Sequence, residues 1–224
     1  MEKVIHIIPT PIGNLADITL RAIQLLKDSD FVLAEDTRKT QKLFKHYQIK
    51  TKLASHHMFN EHKNLQSIVD KINKGMKFSL VSDAGTPGIS DPGFLLIREC
   101  IKNNINVICL PGPTACIPAL IQSGLPCHKF HFEGFLPLKK GRKKLLLEIA
   151  MRKNTTIIYE SPHRILKTLN DMYAILGDRE IVVSKELTKI YEFNYRGGIS
   201  KVIADISQSK IKGEFVITVN GEKQ

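Results

Sequence analysis

The sequence has no tryptophan, and its four cysteines, at 100, 109, 116 and 127, include no C-x-x-C pair. That pattern weighs against a disulfide framework and against a zinc site, so no metal is expected. Cys100, Cys109 and Cys116 stand in or beside apolar stretches, where free buried thiols in a reducing cytoplasm are the ordinary expectation. Aromatic residues amount to 7%, so base stacking is not advertised by composition. Acid is short relative to base: 22 Asp and Glu against 33 Lys and Arg leave a formal charge of +11. Such a surplus favours a polyanionic partner, without separating nucleic acid from an acidic membrane surface or a polycarboxylate metabolite.

Long apolar runs are missing too. The start, MEKVIHIIPTP, reaches proline after a five-residue apolar run, too short for a secretory signal. Residues 103–128 carry no Asp, Glu, Lys or Arg, but Pro111, Pro113, Pro118 and Pro126, with Gly112 and Gly124, interrupt them. A strand, a turn and a short helix in a core are expected there rather than a membrane span, in a soluble protein. Neither G-x-x-x-x-G-K-[ST] nor a G-x-G-x-x-G after the first strand occurs, so a P-loop and a dinucleotide Rossmann turn are both disfavoured.

What is present is an alternation of strands and helices over 224 residues, 42% of them hydrophobic. Strands are expected at 4–8, 31–34, 77–81 and 107–110, and helices at 17–27, 37–47, 64–73 and 91–102. Such alternation implies βαβ units and a mostly parallel sheet. Beyond residue 124 the rhythm changes. A helix at 139–151, a strand at 155–159 and a helix at 161–173 lead into strands at 180–184, 191–195 and 214–219 with little helix between them. Two domains follow: an N-terminal α/β domain, 1–123, and a C-terminal α+β domain, 124–224.

Three Gly/Pro-rich turns each follow an expected strand: Pro9–Asn14, Ser82–Gly88 and Pro111–Ala115. Parallel strands share one carboxyl edge, where ligands of open α/β sheets bind, so three such turns favour a cleft over three unrelated tight turns. Glu35, Asp36, Thr37 and Arg38 follow the second strand at that edge; their acids serve equally well as helix N-terminal residues. His163 and Arg164 fall in the first turn of the 161–173 helix, where a cation makes sense beside an anion such as an RNA phosphate. Pairing with Glu160 or Glu186 is the alternative. Seven basic residues crowd 139–153, read either as a solvated helix end or as a track for a phosphate backbone.

PTPIGNLADITLRA, LAEDTRKT, SDAGTPGISDPG, PGPTA, YESPHRI and SKELTK occur in that order. Together they resemble the ribosomal RNA small-subunit methyltransferase I family of the tetrapyrrole methylase superfamily, along nearly the whole chain. The resemblance implies two α/β domains with S-adenosyl-L-methionine in the cleft between them, usually in a homodimer. It also implies methyl transfer to the ribose 2′-hydroxyl of a cytidine in 16S rRNA. Carried over, the cofactor meets Pro11, Ile12, Asp83, Gly85, Thr86, Thr114 and Ala115, and from the second domain Tyr159, Glu160 and Glu214. Asp36, Arg38 and His57, the last beside Asn60 and Glu61 in a family motif, are the expected catalytic groups. Lys139, Lys140, Arg142, Lys143, Lys144, His163 and Arg164 are the expected RNA contacts. Longer relatives extend past the last strand, so the 139–153 stretch is expected to grip more here. The rival expectations are a tetrapyrrole C-methyltransferase and a noncatalytic ribosome-assembly factor.

Overall fold

The structure, a computed structural model, describes residues 3–57 and 61–222, and of Lys63 the backbone alone. The chain divides into two compact units, Met1–Thr114 and Ala115–Gln224.

The first unit is a five-stranded sheet in the order β3-β2-β4-β1-β5. Its strands are β1 (Val4–Ile7), β2 (Phe31–Ala34), β3 (Lys52–Ser55), β4 (Phe78–Val81) and β5 (Asn106–Cys109). Every pairing is parallel. The helices α1 (Leu20–Asp28), α2 (Thr37–His46), α3 (Glu61–Asn73) and α4 (Phe94–Lys102) make the crossovers. Ala22 and Leu26 of α1 pack with Leu43 and Phe44 of α2 in one core, whereas Val69 and Ile72 of α3 pack with Leu96 and Cys100 of α4 in another. Helices cover both faces, which is why β4 is buried throughout and reads as an unbroken apolar run. α1 starts later than expected because Thr19 caps it, its hydroxyl accepting from the Ala22 N–H at 3.1 Å. β3 was not anticipated: KLAS is short and polar because it is an edge strand, its ends exposed. β5, at the other edge, leaves Cys109 exposed rather than buried as its apolar surroundings implied.

The second unit opens with α5 (Cys116–Ser123), followed by β6 (Phe130–Phe135), α6 (Arg142–Ala150), β7 (Thr155–Glu160) and α7 (Ile165–Leu176). It closes with β8 (Glu180–Lys185), β9 (Phe193–Gly198), α8 (Ile199–Ser207) and β10 (Phe215–Val219). The sheet order is β6-β7-β10-β8-β9. Only β6 and β7 run parallel; the other pairs are antiparallel. The unit begins at Ala115, ahead of the boundary expected after residue 123. The reason is that α5 packs on β7, β8 and β10, and its last carbonyls, of Gln122 and Ser123, accept from the Arg196 guanidinium on β9 at 2.6 and 3.0 Å. α8 fills the stretch expected to hold little helix, burying Ile199, Val202 and Ile206. α7 begins at Ile165, not at 161. Ser161–Arg164 form a turn in which the N–H groups of Arg164 and Ile165 donate to the Ser161 carbonyl at 3.1 and 3.0 Å.

Candidate functional site

The three Gly/Pro-rich turns leave β4, β1 and β5, which are neighbours in the sheet. Their backbones interlock. Thr10 and Gly85 exchange two N–H···O bonds of 2.9 Å, and the Thr10 hydroxyl donates to the Ser82 carbonyl at 3.1 Å. The Thr86 hydroxyl donates to the Pro113 carbonyl at 3.0 Å. Gly85 has φ +84°, and a Cβ there would lie 3.5 Å from Ile12 and 3.9 Å from the Thr114 Cα. The second turn therefore favours glycine for its left-handed backbone, while a Cβ there would make only ordinary contacts with its neighbours. Pro11, Ile12, Gly85, Thr86 and Thr114 thus gather at one strand edge, as expected of a ligand-binding rim. A cavity of about 130 Å³ opens there among Thr10, Pro11, Leu15, Lys39, Ser82 and Asp83. It is large enough for part of a nucleoside-sized ligand only.

Charge is concentrated beside these turns. Asp36 is the N-cap of α2: its Oδ1 accepts from the Arg38 N–H at 2.9 Å, and both its oxygens accept from the Arg38 guanidinium. Those bonds hold its carboxyl below the ordinary aspartate range. Asp36 is committed to helix and arginine, and the Arg38 side chain, 88% exposed, projects outward. Asp83 is committed as well, its Oδ1 accepting from the Asp36 N–H at 2.9 Å and its Oδ2 from Lys39 Nζ at 2.7 Å. Burial and the charge of Asp83 raise Glu35.

Asp91, which sequence reasoning did not single out, stands out electrostatically. Burial first, and then the charge of Glu35, push it up to about 7, while a hydrogen bond with the Ser82 hydroxyl acts in the opposite direction. Its signal was its place in the SDAGTPGISDPG motif; nothing local announces that the fold brings it to Glu35 and Ser82.

His57 is half-buried just past β3, at the same carboxyl edge, two strands from β4. Its carbonyl accepts from the Glu61 N–H at 2.9 Å. Asn60 lies outside the described residues. Glu61 is structural: one oxygen accepts from the N–H groups of Gly93, Leu95 and Leu96 at 3.1–3.3 Å, capping α4 from another helix. It also lies 3.6 Å from the buried His56, whose pKa burial lowers.

In the second unit, Ala115 is the N-cap residue of α5. The Tyr159 hydroxyl accepts from the Cys116 N–H at 3.1 Å, at the start of that helix. Glu160 is not a free wall residue. It is buried, accepting from the Ser161 N–H at 2.7 Å and from the Thr168 hydroxyl at 2.6 Å, with Arg164 Nε at 3.4 Å. Glu214 Oε2 accepts from Lys189 Nζ at 2.9 Å, and Lys189 also reaches Glu186 at 2.8 Å.

Two of the expected RNA contacts are corrected. Arg142 is buried: Nε donates to Asp171 at 2.9 Å, Nη2 to the Thr168 hydroxyl at 2.8 Å and Nη1 to the Pro137 carbonyl at 3.2 Å. Arg164 precedes α7 rather than sitting in its first turn; besides facing Glu160, it donates to the Leu136 carbonyl at 2.7 Å. Lys139, Lys140, Lys143, Lys144 and His163 are exposed. Among the described residues, no cluster of His, Cys, Asp and Glu could hold a metal, and no helix is long and apolar enough to cross a membrane.

Residues 4–202 match the sequence profile of the Tetrapyrrole (Corrin/Porphyrin) Methylases. The chain is 49% identical over 222 residues to the ribosomal RNA small subunit methyltransferase I of Vibrio cholerae, covering 97% of this chain and 77% of the relative. It is 43% identical to the protein of that name from Thermotoga maritima, covering 100% of both. Among solved structures it is similar to the cobalamin biosynthetic enzyme cobalt precorrin-4 methyltransferase, CbiF, with a TM-score of 0.69, 16% identity and coverage of 97% and 95%. A uroporphyrin-III C-methyltransferase from Thermus thermophilus gives 0.66, with 15% identity and coverage of 98% and 94%. These two likenesses speak for the fold alone.

Proposed function

We propose that this chain, which belongs to the tetrapyrrole (corrin/porphyrin) methylase family and is a methyltransferase, transfers the methyl group of S-adenosyl-L-methionine to the ribose 2′-hydroxyl of a cytidine in 16S rRNA of the small ribosomal subunit. One observation carries the reading: identity of 43–49% across essentially the whole chain to enzymes named for ribosomal RNA, against 15–16% to the tetrapyrrole enzymes. The surplus of base over acid agrees with an RNA partner. The same likeness underlies the proposal of a cytoplasmic homodimer.

The donor set of the first unit fits such a methyl donor. The interlocked turns offer backbone N–H and C=O groups, the φ-positive Gly85 lets a ligand approach the main chain, and Pro11 and Ile12 supply an apolar wall. When bound, the donor supplies an electrophilic methyl group. The chain's own task is to align the acceptor oxygen and take its proton, since a ribose hydroxyl is a weak nucleophile. With Asp36 and Asp83 both engaged by cations and N–H groups, we assign the proton to Asp91, a carboxyl with an affinity for protons matched to neutral pH. His57, past β3 at the same sheet edge, and the outward Arg38 are assigned as contacts for the acceptor.

The test is transfer of labelled methyl to 30S subunits from a strain lacking this gene, with naked 16S rRNA and uroporphyrinogen as parallel acceptors. Label in a 2′-O-methylcytidine of the RNA is expected. Label in the tetrapyrrole alone overturns the reading, and cofactor binding without any label refutes this choice of acceptor.

A further inference from the structure

Phe135 ends β6 at the carboxyl edge it shares with β7, and it is 52% exposed. A single exposed phenylalanine is unremarkable by itself; this one is unusual in how firmly it is held. Its ring meets that of Tyr159 edge-to-face at 5.8 Å, and Tyr159 meets Phe132 in the same manner at 4.9 Å. The Tyr159 hydroxyl is pinned in turn by the Cys116 N–H. The chain just past Phe135 is clamped by two guanidinium groups, Arg164 holding the Leu136 carbonyl at 2.7 Å and Arg142 the Pro137 carbonyl at 3.2 Å. Both arginines are anchored by carboxylates, Glu160 and Asp171. Immediately beyond come Lys139, Lys140, Lys143 and Lys144, all exposed. Only Lys144 has an acid in reach, Glu148 at 3.9 Å, among the described residues. Lys139 lies within about 14 Å of Phe135 along the chain, at about 3.5 Å per residue.

A rigid, half-open aromatic face followed by uncompensated lysines is the pattern by which proteins hold single-stranded nucleic acid: a base stacks on the ring and cations follow the backbone. We propose that Phe135 is a stacking platform for an unpaired base of the RNA acceptor, with Lys139, Lys140, Lys143 and Lys144 beside it neutralising the adjoining phosphates. Arg142 and Arg164 then serve RNA recognition indirectly, as positioning residues that preorganise the segment carrying the platform. This inference rests on the rRNA reading above. Charge is what selects RNA over a second copy of the chain as the occupant, since another basic protomer would meet like charge.

The test compares wild type with F135A, F135L and F135W in affinity for a short oligocytidylate, by fluorescence anisotropy at fixed ionic strength. Thermal midpoint, S-adenosyl-L-methionine affinity and oligomeric state are measured in parallel. Stacking predicts a loss of about 5- to 150-fold for F135A. F135L, which keeps apolar bulk without a π-face, is expected to lose nearly as much while melting like wild type, and F135W to stay within about threefold. F135L binding as tightly as wild type overturns the platform, as does loss of affinity only alongside dissociation of a dimer measured without RNA. Failure of the underlying reading looks different: wild type itself would bind no RNA and methylate no ribosomal acceptor.

Discussion

Asp91 provides a sharp test of how the first unit's strand edge is built. Its carboxyl titrates near 7 in the folded chain, against 3.8 for an ordinary aspartate. Between those values the folded protein keeps a proton that the unfolded chain has released. The unfolded state binds fewer protons there, so stability falls as pH rises from about 4 through about 7 and is level above it. Three units at about 1.4 kcal/mol each would amount to about 4 kcal/mol. The side chain still reaches solvent, and screening reduces the effect to about 2 kcal/mol. The Glu35 carboxyl, raised by burial and by Asp83, works in the same direction. D91N keeps the shape and cannot ionise. Its thermal midpoint relative to wild type is therefore expected to climb between pH 4 and 7, ending about 4–8 °C higher for a chain of this size. Thermal melts at half-unit pH steps read this directly. A gap that stays constant with pH, or that closes as pH rises, refutes the claim that Asp91 is forced to hold its proton. If Asp91 also accepts the ribose proton, kcat in the wild type rises through about pH 7 and D91N loses that limb.

Arg142 makes three hydrogen bonds inside the second unit, so R142M deprives the Pro137 carbonyl of its guanidinium donor and leaves Asp171 with Lys167, at 2.9 Å, as its remaining cation. Its cost in urea melts is expected at about 2–3 kcal/mol, below the range for a fully buried pair because Asp171 is partly exposed; R142M melting like wild type would show the clamp to be idle. Lys139 and Lys140 act on RNA through charge alone. K139Q/K140Q should lower the slope of log K against log salt for oligocytidylate by about 1.4, at about 0.7 per phosphate contact. An unchanged slope would place the phosphates elsewhere.

Much of the fold was legible because its strongest signals are periodic and local. β2 was placed to the residue, and α2 and β4 within one, since apolar runs flanked by polar helices leave few alternatives. α8 was equally legible, with Ile199, Val202 and Ile206 at helical spacing, but the surrounding strands drew the reading toward an all-strand rhythm. β3 was not legible: a four-residue edge strand opened by lysine has no period of its own, and only its pairing with β2 makes it a strand. The rim of turns was readable for a related reason. Glycine and proline at strand ends announce backbone geometry wherever they occur, and parallel pairing alone brings three such turns to one edge.

What composition could not tell is which charges are already engaged. Asp36, Asp83, Arg142, Arg164 and Glu160 have the chemistry expected of functional groups, and each meets a partner supplied by the fold. Asp83 binds the Asp36 N–H and Lys39, 47 and 44 positions away. Arg142 reaches Asp171, 29 positions away. A sequence ranks residues by what they could do. The proposals above fall on residues whose capacity the fold leaves open, and these are plain in sequence: Asp91, one acid among 22 Asp and Glu, and Phe135, one phenylalanine among 10. Asp91 is unusual because burial and Glu35 oppose its ionisation, and Phe135 because Tyr159 packs on its ring and two arginines hold the chain just past it while the ring itself stays half exposed. Neither property exists before long-range pairing, so charge and residue type locate the neighbourhood of the chemistry, and tertiary partners decide which member performs it.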